Sequence, residues 1–525
     1  MNRADPAVER LSWLRSRATT LATAVDRRAN LLLALFVAAV LATTLALADR
    51  DPLWTDELFT YYIGRLPSAG DVWSKLSTGV EQMPFFFYLV TRASLGVFGE
   101  GLLGLRLPEV LGFALMCVCL FHFVEHRSSA VYGFVAILFA VATRAYEYAY
   151  EARSYALVLG FAAAALLCWQ RATEGGPHRR LAAIGMAIGL AGAIASHYYA
   201  VLILIPLLAG EAVRSLRRRR IDWLVVGSFG GALVPLLASA PLIEGAQGYY
   251  TSFWAKPRWS TVERFYPYFL LDRKLLAAVA LAVVAAAFTA IRSRSRSPAA
   301  RRPFRRIPDH ELVALGTFVL LPLLGLLLGK LVTHGFTSRY ALPAVLGVAA
   351  LVALAAWWAD GEAPIVGLSL VLLLVVLVAG RFTVRYDKAT RDADRQTETL
   401  HFLQRHGRAG VPLLVGSPHE FFEMSHRASK DRGRPALVYL ADRAEARRYL
   451  DTDDVDLALI GLEDIAPLDV EAYRPFIASH SRFLVYGDHG GWNWLTSALR
   501  DRRADLRVAA RNPGGDVLFD VSLRR

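Results

Sequence analysis

Four polar clusters stand out in a mostly apolar sequence of 525 residues. In WTDELFTYYIGR, Asp56 and Glu57 are adjacent acids directly after an apolar block. Neighbours on a helix point about 100° apart, so only one of them can face a given site squarely. The other is left to position a helix or to assist a metal. A carboxylate beside apolar surface titrates higher than in water and suits general-base work on a hydroxyl. The competing reading is that the pair only caps an interfacial helix.

In YEYAYEARSYAL, Glu147 and Glu151 are four residues apart and would share a face on a helix, with Arg153 beside them. A local Glu151–Arg153 pair bracing a turn is the alternative. In THGFTSRYALPA, Arg339 follows His334 and precedes Tyr340. A guanidinium there could hold a phosphate through charge-assisted hydrogen bonds, or anchor the chain at a membrane interface. The segment 247–273 mixes Tyr249, Tyr250, Phe253, Trp254, Trp259, Tyr266 and Tyr268 with Lys256, Arg258 and Arg264. Aromatics among cations fit a phosphate headgroup and a stacked sugar ring; they also fit an interfacial belt. His197 and Tyr198 form one more polar turn. His197 and His334 are of a type that can ligate metals, although a histidine beside an apolar block is commonly a structural hydrogen-bonding residue.

These clusters need elements to hold them, and the composition says which. The chain is 55% hydrophobic with a mean hydropathy of +0.35. Runs such as LLLALFVAAVLATTLALA from Leu31 and LVALGTFVLLPLLGLLLG from Leu312 have the length that crosses a bilayer core. The net charge of +13 lies wholly before Phe382, because the remainder holds 22 basic and 22 acidic residues. Its arginines cluster between apolar runs, at Arg217 to Arg220 and from Arg292 to Arg306. That is the signature of cytoplasmic loops, and it removes the case for nucleic-acid binding. Cys117, Cys119 and Cys168 all lie in apolar blocks and give no evidence of compartment.

Placing the arginine-rich loops inside predicts about eleven spans. They fall near 31–48, 106–124, 129–146, 153–170, 181–196, 199–214, 221–241, 273–291, 310–330, 339–358 and 364–381. All four polar clusters then lie outside. The apolar run 83–99 carries Pro84 and Arg92 and cannot be a span without inverting every later loop. It is expected to lie in the interface, within one long external loop. The expected divisions are a cytoplasmic segment 1–30, a transmembrane domain 31–381 and a soluble extracytoplasmic domain 382–525.

In that last part VPLLVG, ALVYL, LALIG and RFLVYGD alternate with helix-like segments. The pattern predicts a small α/β domain with a mostly parallel sheet, closed by a hairpin of LRVAA and DVLFDVSL across NPGG. No G-x-G-x-x-G follows its first strand, which argues against a dinucleotide site. The glycines at 487–491 read as a turn.

The order of motifs resembles the GT-C superfamily. An Asp-Glu pair opens a long external loop, followed by a proline-led aromatic helix, LRLPEVLGF, YEARSYAL and SRYALP. The nearest likeness is to dolichyl-phosphate-mannose protein mannosyltransferases and lipid A aminoarabinose transferases, over residues 30–380. The resemblance implies an inverting glycosyltransferase of the bacterial inner membrane using a polyprenyl-phosphate-linked sugar on the outer face. It assigns catalytic roles to Asp56, Glu57 and Glu151 and a carrier-phosphate role to Arg339. Tyr340, Arg153, Glu147, His197, Tyr198, Lys256, Arg258 and His334 are the further expected substrate contacts. Asp56 and Glu151 would be the ligands if a divalent cation were used, a question the sequence leaves open. The rival class is a flippase of lipid-linked sugars, which should show charges at the midplane of broken, repeated spans. No internal repeat is evident. An inert anchor bearing a soluble binding module would not need about eleven spans with polar outer turns.

Overall fold

The computed structural model describes residues 6–246, 252–270, 275–277, 280, 284, 307–360, 363–429, 436–487 and 492–523. The expected span at 273–291, the arginines from 292 to 306, Tyr249, Tyr250 and most of the 487–491 turn lie outside the described residues, apart from a few positions in that span and Gly487. Apolar sequence forms helices wherever it is long. In chain order these begin with α1 (Pro6–Arg27), α2 (Ala29–Arg50), α3 (Thr55–Gly64), α4 (Ala69–Ser77) and α5 (Phe85–Phe98). There follow α6 (Leu102–Glu125), α7 (Ala130–Ala142), α8 (Tyr155–Glu174), α9 (Arg179–Ser196) and α10 (Leu204–Arg218). Among the described residues six helices are long and apolar enough to cross a membrane. A seventh is the broken pair Asp309–Val319 and Leu321–Thr333, bent by 56°. One span was expected there, near 310–330; Pro322 sits in the first turn after the break, where its missing N–H costs nothing. The chain is a multi-pass membrane protein.

The 14 residues of α5 span about 21 Å, short of the roughly 30 Å hydrocarbon core. Helix α5 packs against α3, α4 and α6 as part of the segment between α2 and α6. Helices α6 and α8 approach closely because Gly112 faces Gly160. A Cβ on Gly160 would lie 2.3 Å from the Gly112 carbonyl oxygen. Small residues at such a seam let membrane helices bring their backbones together.

The two ends of the bundle differ. At one end the loops expected inside are tied to one another. Arg127 bridges Glu174 (2.6 Å) and Glu311, while Asp222 takes both Arg214 (2.5 Å) and Arg179. At the other end, the turns expected outside converge beneath the C-terminal domain.

The helix Ile365–His406 runs unbroken for 42 residues, through position 382 and into that domain. The six strands are β1 (Leu413–Val415), β2 (Leu437–Ala441), β3 (Val470–Ala472), β4 (Arg482–Tyr486), β5 (Asp505–Arg511) and β6 (Val517–Ser522). They lie in the order β3-β2-β1-β4-β6-β5, the first four parallel and the β5–β6 hairpin antiparallel. The expected strand LALIG is instead part of a helix, Asp454–Leu462. Asp454 and Asp456 fall in its first turn, where acids favour a helix. Leu459 and Leu462 are buried and Ile460 is exposed, a helical spacing that a short apolar run does not reveal.

Candidate active site

Four residues separate α2 from α3, which carries both acids in its first turn. Their roles separate at once. Glu57 is fully buried and takes a two-pronged contact from the buried Arg106, at 2.7 and 2.6 Å. Arg106 also donates to the carbonyls of Ala48 and Asp51, and Glu57 accepts from the Ala152 amide at 2.7 Å. This clamp fixes the α2–α3 turn to the segment before α8. Its planar fork matches a carboxylate, and breaking either half would strand a buried charge.

Asp56 points the other way. Its Oδ2 lies 3.0 Å from Arg339 Nη1 and 3.9 Å from Arg153 Nε. Arg153 further donates to the Asp56 carbonyl and to Glu81, both at 3.1 Å. It therefore pairs with Glu81 and Asp56 rather than with Glu151. Burial pushes the Asp56 carboxyl up, but Arg339 and Arg153, with His419, outweigh it and hold the group below its usual range. Asp56 is thus ionised in the resting protein, while its base strength is restrained by two guanidiniums.

Arg339 sits in a short 3-10 turn (Ser338–Ala341) leading into the helix Ala344–Asp360. Its guanidinium lies over Trp54, Tyr155 and Trp254 at 5.5 to 5.9 Å. Its buried Nε makes no hydrogen bond among the described residues, leaving a donor for an incoming acceptor. Tyr340 packs beside it, 4.7 Å from the ring of His197 and 4.6 Å from that of Tyr199. His197 accepts from the Tyr199 amide and caps the turn Tyr198–Ile203. Burial, then Arg153 and Arg339, drive its imidazole down to about 3, so it is neutral.

Arg339 and Glu151 open into a cavity of about 510 Å³ between the helical bundle and the C-terminal domain. Trp54 and Tyr148 line it from the bundle, Lys388 and Gln396 from the long helix, and Glu420 and Glu423 from the domain. Glu151 titrates well above the usual carboxylate range because of burial, with Glu57 and Glu147 adding to it. The segment around Glu147 is a 3-10 turn (Arg144–Ala149) rather than an α-helix. Glu147 faces Arg385 at 3.8 Å, apart from the cavity lining.

Of the remaining expected contacts, Lys256 pairs with Asp451 of the C-terminal domain and Arg258 precedes the short helix Trp259–Arg264. His334 occupies a left-handed turn at φ 54°. None of the three lines the cavity. Tyr198 is half-buried in its 3-10 turn. The structure therefore brings Asp56, Arg153, Arg339, Tyr340 and His197 together beside the cavity that Glu151 lines. It adds Arg106, Glu81, Glu423 and His419, which sequence reasoning passed over. Arg106 lay within the quoted LRLPEVLGF, where an arginine in an apolar helix was the available signal.

Among the described residues no group of three or more His, Cys, Asp or Glu is arranged to hold a metal ion. Asp56 faces two guanidiniums, and this donor set does not fit a divalent cation.

Residues 82–243 match the family model for dolichyl-phosphate-mannose-protein mannosyltransferase. That stretch holds Arg106, Glu151, Arg153 and His197, with Asp56 and Arg339 on either side of it. A search of curated protein sequences finds no significant match. Among solved structures, the chain is similar to ArnT from Cupriavidus metallidurans in the apo state. The TM-score is 0.60 at 13% identity, covering 94% of this chain and 98% of that one. The same protein bound to undecaprenyl phosphate matches with a TM-score of 0.56 at 13% identity, covering 93% and 98%. The fold is that of the ArnT structures. The likeness extends through the C-terminal α/β domain, since the alignment spans nearly both whole chains.

Proposed function

We propose that this chain is an inverting glycosyltransferase that moves a sugar from a polyprenyl-phosphate carrier to an acceptor hydroxyl. The observation that carries this reading is the 3.0 Å pair of Asp56 and Arg339 beside a polar cavity. The cavity lies at the end of the bundle opposite the cluster of Arg127, Arg179 and Arg214. With that cluster cytoplasmic, chemistry occurs on the outer face of the bacterial inner membrane, where the C-terminal domain also lies.

In the reaction, Asp56 accepts the proton of the acceptor hydroxyl. The freed oxygen forms a bond to the anomeric carbon from the face opposite the phosphate, and the carbon–oxygen bond to phosphate breaks. Its electron pair stays on the departing polyprenyl phosphate, which gains one negative charge. Arg339 is placed to stabilise that charge, which is worth most where charge develops in a water-poor site. The carrier phosphate must displace Asp56 from Arg339. That exchange would lift the restraint on Asp56 and make it a better base once the donor has arrived. Arg153 keeps the carboxylate in place through the Asp56 carbonyl. Burial shifts the Glu151 carboxyl toward its protonated form, in which it can donate a hydrogen bond to the bound sugar. ArnT crystallised with undecaprenyl phosphate supports a carrier of that chemistry here.

The test is a product assay with full-length protein and a labelled sugar on polyprenyl phosphate. Transfer moves the label to an acceptor and leaves bare carrier. A protein that only flips the lipid leaves the label on the carrier, and that outcome would overturn the reading. Lipid and glycan profiling of a deletion strain would identify the sugar and acceptor together.

A further inference from the structure

The helix that carries Asp56 begins without a cap of its own. Trp54, at its N-cap, is extended at φ −100° and ψ 169° and supplies no side-chain acceptor. The first amides of a helix have no partner within it, and a nearby oxygen normally satisfies one of them. Here the oxygen comes from the C-terminal domain. Glu423, on the helix Pro418–Ala428, accepts from the Thr55 amide at 3.1 Å and from the Thr55 hydroxyl at 3.2 Å. His419 Nδ1 lies 3.1 Å from the same hydroxyl, and Gln396 of the long helix donates to the other Glu423 oxygen at 3.4 Å. Thr55, 1% exposed, immediately precedes Asp56.

The surroundings show that this contact is separable from the docking of the domain. Apolar packing already joins the two parts: the ring of Phe422 meets Phe59 at 5.5 Å and stacks on Tyr62 at 5.8 Å. The Tyr62 hydroxyl pairs with His426 at 2.7 Å. Glu423 adds a partly buried carboxylate at an interface that those rings already pack, and directs it to the residue before Asp56. Helix α3 is thus held from two sides, by Arg106 through Glu57 within the membrane part and by Glu423 from the soluble domain.

We infer that the C-terminal domain is a working part of the active site, and that Glu423 is a positioning residue which caps the Asp56 helix and sets its carboxylate against the donor. This rests on the transferase reading above. Reacting groups lose rate when displaced by about 1 Å, so a cap at position 423 acts on turnover rather than on carrier binding.

The experiment uses the full-length chain in lipid nanodiscs, comparing wild type, Glu423→Ala and Glu423→Gln. Three quantities are read: sugar transfer, affinity for undecaprenyl phosphate, and amide exchange over residues 55–58. Glu423→Ala should lower transfer roughly ten-fold, the size expected when a helix loses its cap, with carrier affinity changed by less than about two-fold. Glu423→Gln keeps an oxygen for the Thr55 amide and should recover most of the transfer. Amides 55–58 should exchange about ten-fold faster in the alanine variant alone. Wild-type transfer in Glu423→Ala would overturn the assignment. So would a joint fall of transfer and carrier affinity, because that marks general loss of structure. If the wild type transfers no sugar from a polyprenyl carrier, the functional reading fails separately. Unaltered exchange at 55–58 in the alanine variant would still sink the cap.

Discussion

At the scale of single residues, the proposed mechanism turns on competition for one guanidinium. Asp56 and Arg339 pair at 3.0 Å, and in the proposed reaction a carrier phosphate competes for the same partner. Asp56→Asn should therefore abolish transfer while binding undecaprenyl phosphate roughly ten-fold more tightly, since a charged rival has been removed. Equal affinity in the two proteins would show that the ion pair does not gate the phosphate. Arg339→Ala should weaken the same binding by roughly 30-fold or more, as expected for losing a buried charged contact. A titration with the bare lipid measures both variants without knowledge of the sugar. Asp56 and Arg339 were legible in the sequence because ionisable residues beside apolar spans are costly and invite a functional reason. Glu423 was not, because an acid on a soluble amphipathic helix looks solvated until its partner, 368 residues away, is known.

At the scale of elements, backbone proximity matters more than side-chain character. Helices α6 and α8 hold Arg106 and the segment before Ser154 in register by touching at Gly112 and Gly160. Gly160→Leu should separate them, costing about 1–3 kcal/mol and dragging the Arg106–Glu57 clamp with it. A lowered melting temperature together with loss of transfer is the expected result; unchanged melting would refute the seam. Several long apolar helices were readable from hydropathy, six or seven of them span-length among the described residues, and the hairpin β5–β6 from its NPGG turn. LALIG was misread because five apolar residues carry no period of their own, and flanking aspartates decided for helix. The break at Leu320 was missed because an apolar run looks alike whether straight or bent.

For the whole molecule, burial of acids at the domain junction and inside the C-terminal domain couples stability to pH. Burial lifts Glu423 and Asp456 to about 7 and Asp51 to about 6, from ordinary values of 4.5, 3.8 and 3.8. The folded chain keeps protons there that the unfolded chain releases. That contribution is complete below about pH 4 and is lost as pH rises to about 7. The acids held low, Asp520 at about 2 and also Asp453 and Asp56, act only below about pH 4 and so do not cancel it in this window. The melting temperature should thus fall from pH 5 to pH 8, and Glu423→Gln should flatten the slope. A slope of equal size in that variant would exclude Glu423 as a contributor.

The sequence alone determined the multi-pass helical class, the location of charge and the resemblance that named a reaction, because hydropathy, arginine placement and motif order are local properties. Tertiary structure decided which acid pairs with the cavity-lining Arg339. Adjacent residues on α3 point apart, and only the positions of Arg106 and Arg339 tell Glu57 from Asp56. It also decided that the soluble domain reaches the site, since a hydrogen bond between Thr55 and Glu423 depends on how two distant segments dock, and no spacing along the chain encodes that.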